Sequence, residues 1–439
     1  MARPFSDRAA GANEKTKGHD TIMADSTSLT PDEARILDGV QDRADAMIAR
    51  VKEWSAINSG SRNADGLEAM RGKLAEAFGE LDAEISAVKL DPAEVVLPDG
   101  EIEHQEFTPA FRVRKRPDAP VQIVLTGHHD TVFPADSGFQ DWELWDEDTI
   151  NGPGVADMKG GLIVMSEALR ALEQSPNRDQ VGYTVLVSPD EEIGSPGSRP
   201  VLMDLGAKAH IGMTYEPALA NGDLAGARKG SGNFTLVVRG RAAHAGREHH
   251  LGRNALVAAS RFATQLDALN GEREGVTFNI GKMDGGGPVN IVPDLAVVRF
   301  NVRMPTPDDM DWAKAQIERL ADETGKADGI GAALHGGFTR PPKPMAPPVA
   351  RMFDFTRRAG QAIGLDINWN DTGGVCEGNN LWAAGCPNVD TLGVRGGDIH
   401  NAKEFAKLDS FGERARLSAV MLMKFASGEF DARAAREAR

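Results

Sequence analysis

Hydrophobic and polar positions first separate at Thr30-Pro-Asp-Glu33, where a capping box with proline at the first helical position predicts a helix start. Ile36, Leu37, Val40, Met47, Ile48, Val51 and Trp54 follow at a spacing that buries one face. Leu67, Met70, Leu74, Phe78 and Leu81 repeat that spacing in a second helix. From about 120 to 217 short apolar runs alternate with helical patterns. Runs beginning at Val121, Tyr183 and Ala209 read as strands, and Leu162, Met165, Leu169 and Leu172 mark the core face of a helix between the first two. This order predicts an α/β fold with a mixed, mostly parallel sheet flanked by helices.

Beyond about residue 225 the pattern changes. Phe234, Leu236 and Val238 alternate as a strand, and 254–270 reads as a helix through Leu256, Phe262, Leu266 and Leu269. Strands are predicted from Val276 to Ile280 and Leu295 to Val302, a helix from Pro307 to Glu323, and a strand from Ala332 to Phe338. The order β-α-β-β-α-β is that of a ferredoxin-like unit, which can fold as a compact α+β insert. Pro341, Pro342, Pro344, Pro347 and Pro348 then mark a linker back to the main domain. A helix near 350–363, a glycine-rich loop at 373–378, a short strand near Val389, a loop holding His400 and a terminal helix complete the pattern. The predicted organisation is a disordered extension over 1–25, a discontinuous metal-binding domain over 26–222 and 341–439, and an inserted domain over 223–340.

Composition narrows the function classes. A chain of 439 residues with net charge −16 is a poor match for nucleic acid, and any anionic substrate needs local Arg or Lys. No apolar run approaches the roughly 20 residues of a membrane span, and the first two dozen residues lack the apolar core of a signal peptide. The two cysteines, Cys376 and Cys386, form no disulfide scaffold and fit a reducing compartment, so a cytoplasmic location is expected. Residues 1–22 read as disordered, with Met23 as an alternative start.

The chemistry gathers at strand ends, where open α/β sheets place their sites. His128 and Asp130 lie two apart after the first strand, so their side chains share a side and Asp130 is either a ligand or the group that orients the imidazole. Asp157 sits in a loop with Gly152, Gly154, Gly160 and Gly161, where a helix cap is the plainer role for it. Glu191 and Glu192 end the second strand and diverge, so one can bind a metal while the other acts as general base beside it. Their plainer role is a solvated acidic turn before a helix that Ser198 caps. Glu216 ends the third strand, and His400 offers a distant imidazole, although a lone loop histidine is more often solvated. Taken singly each residue is ordinary. Together two His and three or four carboxylates make two coordination sets suited to zinc, with manganese or cobalt as alternatives.

These motifs resemble the cocatalytic dizinc metallopeptidase family of glutamate carboxypeptidase (carboxypeptidase G type), aminoacylase, acetylornithine deacetylase and succinyl-diaminopimelate desuccinylase. The resemblance runs from about residue 30 to the end, with five ligand segments in order. It implies that His128 is a metal ligand with Asp130 as its orienting partner, that Asp157 bridges two metals, and that Glu192, Glu216 and His400 complete the set. It makes Glu191 the general base and the insert a lid and homodimerisation domain. His244, in Ala242-Ala-His244-Ala-Gly246, is then expected to reach a partner's active site and stabilise an oxyanion. Asn290 and Arg340 resemble substrate-binding residues, although Arg340 by its own setting reads as a solvated linker residue. One departure is Gly373-Gly-Val-Cys376-Glu377-Gly378, which replaces a common Gly-Gly-x-Ser-Asp and leaves that pocket wall open. The implied activity is metal-dependent cleavage of a peptide or N-acyl amino acid, with a carboxypeptidase first. The rivals are an N-acyl amino acid deacylase or small dipeptidase and, more remotely, a non-catalytic metal-binding relative.

Overall fold

The computed structural model describes residues 27–437, so the extension expected over 1–25 lies outside the described residues. A six-stranded sheet runs in the order Glu84–Val88, Ala110–Lys115, Val181–Ser188, Val121–His128, Ile211–Thr214, Asn388–Val389. The last four strands are mutually parallel, and the first two join antiparallel. The four parallel strands are buried on both faces. Ile123, Leu125, Val185 and Val187 pack into the large core formed with the helices Pro31–Gln41, Ala44–Ser55, Lys159–Gln174 and Ser410–Ser427. Val124 and Leu186 point the other way, towards Leu202 and Leu381 on the helices Arg199–Lys208 and Glu377–Ala383.

A second, smaller sheet runs Ala218–Leu219, Arg395–Gly397, Phe405–Lys407, Thr149–Asn151, Glu143–Leu144. It brings together three loops that the sequence separates by up to 250 residues. Those after Asn151, before Ala218 and after Gly397 carry Asp157, Glu216 and His400.

Residues 230–340 build a separate core. Four antiparallel strands lie in the order Thr277–Gly285, Leu295–Met304, Gly230–Arg239, Gly331–Arg340, with helices Ala255–Asp267 and Pro307–Gly325 packed on them. Phe234 stacks on Phe300 with ring centroids 5.4 Å apart. A hairpin of the main domain, Ala93–Val96 with Ile102–Gln105, reaches over and packs Val96 against Val237 and Val297 of the insert sheet.

The capping box at Thr30 forms, with Thr30 N–H donating to Glu33 at 2.8 Å. The long first helix does not. It breaks after Gln41, and the break aims Arg43 at the buried carboxylate of Glu167, with hydrogen bonds of 2.7 and 2.9 Å. Ser198 does not cap the helix that follows it. Asp190 Oδ2 holds that turn instead, accepting from the N–H groups of Gly197 at 2.7 Å and Ser198 at 3.1 Å. No helix among the described residues is long and apolar enough to cross a membrane.

The helix Lys159–Gln174 connects the large core to the loop of Asp157, and Leu169 on it is fully buried. Leu169→Ala is expected to cost about 2–5 kcal/mol through lost burial and a residual cavity. Urea titration followed by tryptophan fluorescence checks this.

Candidate metal centre

Each candidate side chain is delivered by a strand end or a loop that the sheets fix. His128 is the last residue of its strand. Its Nε2 lies 3.1 Å from Asp157 Oδ1 and 4.0 Å from Glu216 Oε2. His400 approaches from the opposite side, with Nε2 3.3 Å from Asp157 Oδ2 and 3.1 Å from Glu192 Oε2. Asp157 therefore offers one oxygen to each of two donor sets. One is His128, Asp157 and Glu216; the other is His400, Asp157 and Glu192. Ligand atoms of His128, Asp157 and Glu192 all fall within 4.8 Å of one another.

Asp130 sits behind this cluster. His128 Nδ1 is 3.0 Å from the Asp130 carbonyl oxygen, on the ring side away from Asp157. The Asp130 carboxylate accepts from Ser61 Oγ at 2.7 Å, Glu191 N–H at 3.2 Å and Glu192 N–H at 3.1 Å. It thus ties the first ligand strand to the segment carrying both glutamates. Glu404 does the same for the Asp157 loop. Fully sequestered, it accepts from the N–H groups of Gly154, Ala156 and Asp157 at 3.1, 3.0 and 2.9 Å. No local motif singles out Ser61 or Glu404; both act through backbone and hydroxyl groups that become neighbours only on folding.

The electrostatics of the cluster fit a bound cation. Burial and the neighbouring Glu191 and Asp157 charges push Glu216 well above the usual carboxylate range, and its Oε1 is buried without a partner. Burial and Asp157 push Glu192 up to about 8. Burial opposes a charge on His128, but its hydrogen bonds to Asp130 and Asp157 carry it well above an ordinary imidazole. His400 is raised to about 10 by Asp157 and Glu192. The carboxylate field that draws protons onto both imidazoles would equally favour a divalent cation. The donors are imidazole and carboxylate without thiolate, the set that suits zinc, manganese or cobalt in a reactive site.

A cavity of about 660 Å³ opens over the cluster, lined by Asp157, Glu191, Glu192, Glu216 and His400 on one side and by Arg228, Arg303 and Arg340 on another. Arg340 is not the solvated linker residue that its local sequence suggests. It is buried at the end of its strand, with Nη1 2.5 Å from Glu191 Oε1 and Nη2 donating to the Glu191 carbonyl at 3.0 Å and to Ser195 Oγ at 2.7 Å. Arg228 is committed to Asp390 through bonds of 2.8 and 2.9 Å. Arg303 donates Nε to Asn301 at 3.0 Å, and among the described residues no carboxylate pairs with it. The sequence gives no local reason to separate Arg303 from its neighbours on an alternating strand.

Two expected residues stand apart from this cavity. The short strand Ala243–His244 pairs with Ile291–Val292, and Ala245 N–H donates to the Asn290 carbonyl at 2.9 Å. His244 and Asn290 are thus neighbours on an exposed ribbon of the insert, and neither lines the cavity of its own chain. The 376–377 pair does not form the pocket wall either. Gly373, Gly374 and Val375 do, while Cys376 and Glu377 are fully buried. Glu377 accepts from Ser188 Oγ and is pushed up to about 8 by burial; burial likewise raises the Cys376 thiol, which argues against a nucleophile.

Comparison with known proteins agrees with this geometry. The sequence model of peptidase family M20/M25/M40 matches residues 124–424. Carboxypeptidase G2 of Pseudomonas sp. (strain RS-16) is 26% identical over 396 residues, which cover 88% of this chain and 91% of that protein. A succinyl-diaminopimelate desuccinylase of Nitrosospira multiformis is 26% identical over 325 residues, covering 69% and 83%. Among solved structures, a tripeptidase from Staphylococcus aureus shares the fold with a TM-score of 0.67 at 21% identity, covering 88% of this chain and 99% of that one. A family M20 metallo-carboxypeptidase from Sulfolobus solfataricus does so with a TM-score of 0.65 at 16% identity, covering 87% and 99%. With the family match extending from the strand that ends at His128 to the helix Ser410–Ser427, this chain belongs to peptidase family M20/M25/M40 and is a metal-dependent hydrolase.

Proposed function

We propose that this hydrolase is a carboxypeptidase of the glutamate carboxypeptidase type, releasing a C-terminal amino acid from a small peptide or N-acyl substrate. The observation that carries this reading is Arg303, a cation that lines the cavity and pairs with no carboxylate among the described residues, in a chain of net charge −16. A free substrate carboxylate is the natural complement of such a group. An N-acyl amino acid deacylase reads the same carboxylate and remains the nearest rival. A small dipeptidase would in addition need an acidic group to read a free amine.

Two divalent ions, zinc first, would be held by His128, Asp157 and Glu216 on one side and by His400, Asp157 and Glu192 on the other. Bound there, they would acidify water and polarise the amide carbonyl. Glu191 is the general base: it takes a proton from the attacking water and returns it to the leaving nitrogen. Arg340 grips Glu191 Oε1 and holds the carboxylate in place for that transfer, which adds an orienting role to the substrate contact expected of this arginine. Asp130 orients His128 through Nδ1.

We read residues 26–222 and 341–439 as the catalytic domain and 223–340 as a ferredoxin-like lid and homodimerisation domain. The separate core and the strand order of the insert support this, as do its exposed Leu251, Val257, Met283 and Ile291. His244 and Asn290 would then act in the cavity of a second copy, His244 as an oxyanion donor. Two cysteines without a disulfide support a cytoplasmic location.

Glu191→Ala is expected to lower kcat by roughly 10²–10⁴-fold with metal content unchanged. Mass spectrometry over folate-type glutamates, N-acyl amino acids and blocked and free dipeptides reads the product; retained turnover would remove Glu191 as base. Arg303→Ala should raise KM for substrates with a free α-carboxylate by about tenfold to a hundredfold and leave amidated analogues nearly unchanged. An equal loss on both would sink the carboxylate assignment. Mixing equal amounts of Glu191→Ala and His244→Ala chains should restore about a quarter of the activity, since about half of the reassorted dimers are mixed and one of two sites in each is whole. Failure of the mixture to exceed its components would rule out the exchange.

A further inference from the structure

The chain crosses between its two cores twice, and both crossings converge on one buried carboxylate. Arg228 and Lys343 form the last rung of the connecting ribbon: Arg228 N–H donates to the Lys343 carbonyl at 2.9 Å, and Lys343 N–H returns a bond of 3.0 Å. The two strands run so close that a Cβ on Gly230 would lie 2.8 Å from the nitrogen of Pro342. Both side chains then turn to Asp390. Arg228 donates through Nε at 2.8 Å and Nη2 at 2.9 Å, and Lys343 Nζ donates at 2.6 Å. Asn388 takes a further bond from Lys343 at 3.1 Å. Asn379 adds a second clamp, with Nδ2 reaching the carbonyls of Lys229 at 3.0 Å and Pro341 at 2.8 Å, one on each crossing.

The two ends of this connection matter for the reaction. On the main-domain side, Val389 pairs with Met213, and Gly393 N–H donates to the Glu216 carbonyl at 2.9 Å. The segment holding Asp390 is therefore the one that holds a metal ligand. On the insert side, Arg340 lies three residues before Lys343 and is bonded to Glu191. Asp390 and Lys343 are wholly buried and Arg228 nearly so, which makes the single carboxylate the counterion of two sequestered cations. Those cations hold Asp390 down to about 2.

We propose that Asp390 is a positioning residue: it pins both crossings to the strand segment that carries Glu216, and so fixes the angle at which the insert presents Arg340 to Glu191. Packing of Val96 against Val237 and Val297 is a second, independent support, so loss of the pin should displace the insert without detaching it.

The test uses the full chain labelled with nitroxides at Arg35→Cys and Lys314→Cys, both exposed, while Cys376 and Cys386 are buried. The label separation is read by pulsed dipolar spectroscopy in metal-free protein diluted with unlabelled chain. The pinned protein should give one narrow distribution. Asp390→Asn should broaden or shift it, and kcat/KM of the metal-loaded variant should fall by about tenfold to a hundredfold at unchanged metal content. Lys343→Met leaves the Arg228–Asp390 pair balanced; it should move the distribution in the same direction to a smaller extent. An unchanged distribution in folded Asp390→Asn, or in Lys343→Met where the first variant does not fold, overturns the proposal. The distance readout needs neither metal nor substrate, so its result stands apart from the hydrolase reading.

Discussion

Like charges crowd at the centre of this protein, and most of the surrounding structure answers that constraint. Asp157, Glu191, Glu192 and Glu216 converge on one cavity with only two imidazoles among them. Buried carboxylates at such separations repel, and burial adds to the cost of each charge. Burial first and that repulsion second raise Glu192 and Glu216, and the depressed Asp157, despite its burial, shows how far His128 and His400 relieve it. A site with these donors is arranged for a cation, and the rest of the fold keeps it from springing apart.

That restraint comes from outside the ligand set. Asp130 and Glu404 accept from backbone N–H groups of the very loops that carry Glu191, Glu192 and Asp157. A carboxylate accepting several N–H bonds fixes a loop conformation more tightly than side-chain packing alone, because each bond constrains the direction of a peptide plane. The cost is that both carboxylates are themselves buried; Glu404 is pushed up to about 7 by burial and by Asp157. Structure and chemistry thus draw on the same few charged groups.

The apolar periodicities were enough to read the parallel strands, the helix behind Asp157 and the insert's β-α-β-β-α-β order, because each buries a face large enough to mark the sequence. The strand ends that bring His128, Glu192 and Glu216 together were legible for the same reason: a polar residue after an apolar run stands out. The edge strands Glu84–Val88, Ala93–Val96 and Ile102–Gln105 were not, since they are mostly exposed and carry little apolar signal. The second small sheet was invisible because its strands are two or three residues long and join segments far apart in the chain. Arg340 shows a different failure. Its proline-rich surroundings suggest solvent, and only the fold turns it inward onto Glu191.

The arginines also resolve the problem set by the net charge of −16. The anionic substrate proposed above would meet a repulsive field until it reached the cavity, where Arg228, Arg303 and Arg340 are among the lining residues. Two of them are already neutralised, Arg228 by Asp390 and Arg340 by Glu191, so their charge acts on internal geometry before it acts on a ligand. Arg303 donates to Asn301 and pairs with no carboxylate among the described residues. It lies on the strand Leu295–Met304, so in the proposed reading recognition would come from one core and the metal donors from the other. On that reading, a change in the angle between the two cores would change the distance between Arg303 and the carboxylates and imidazoles across the cavity.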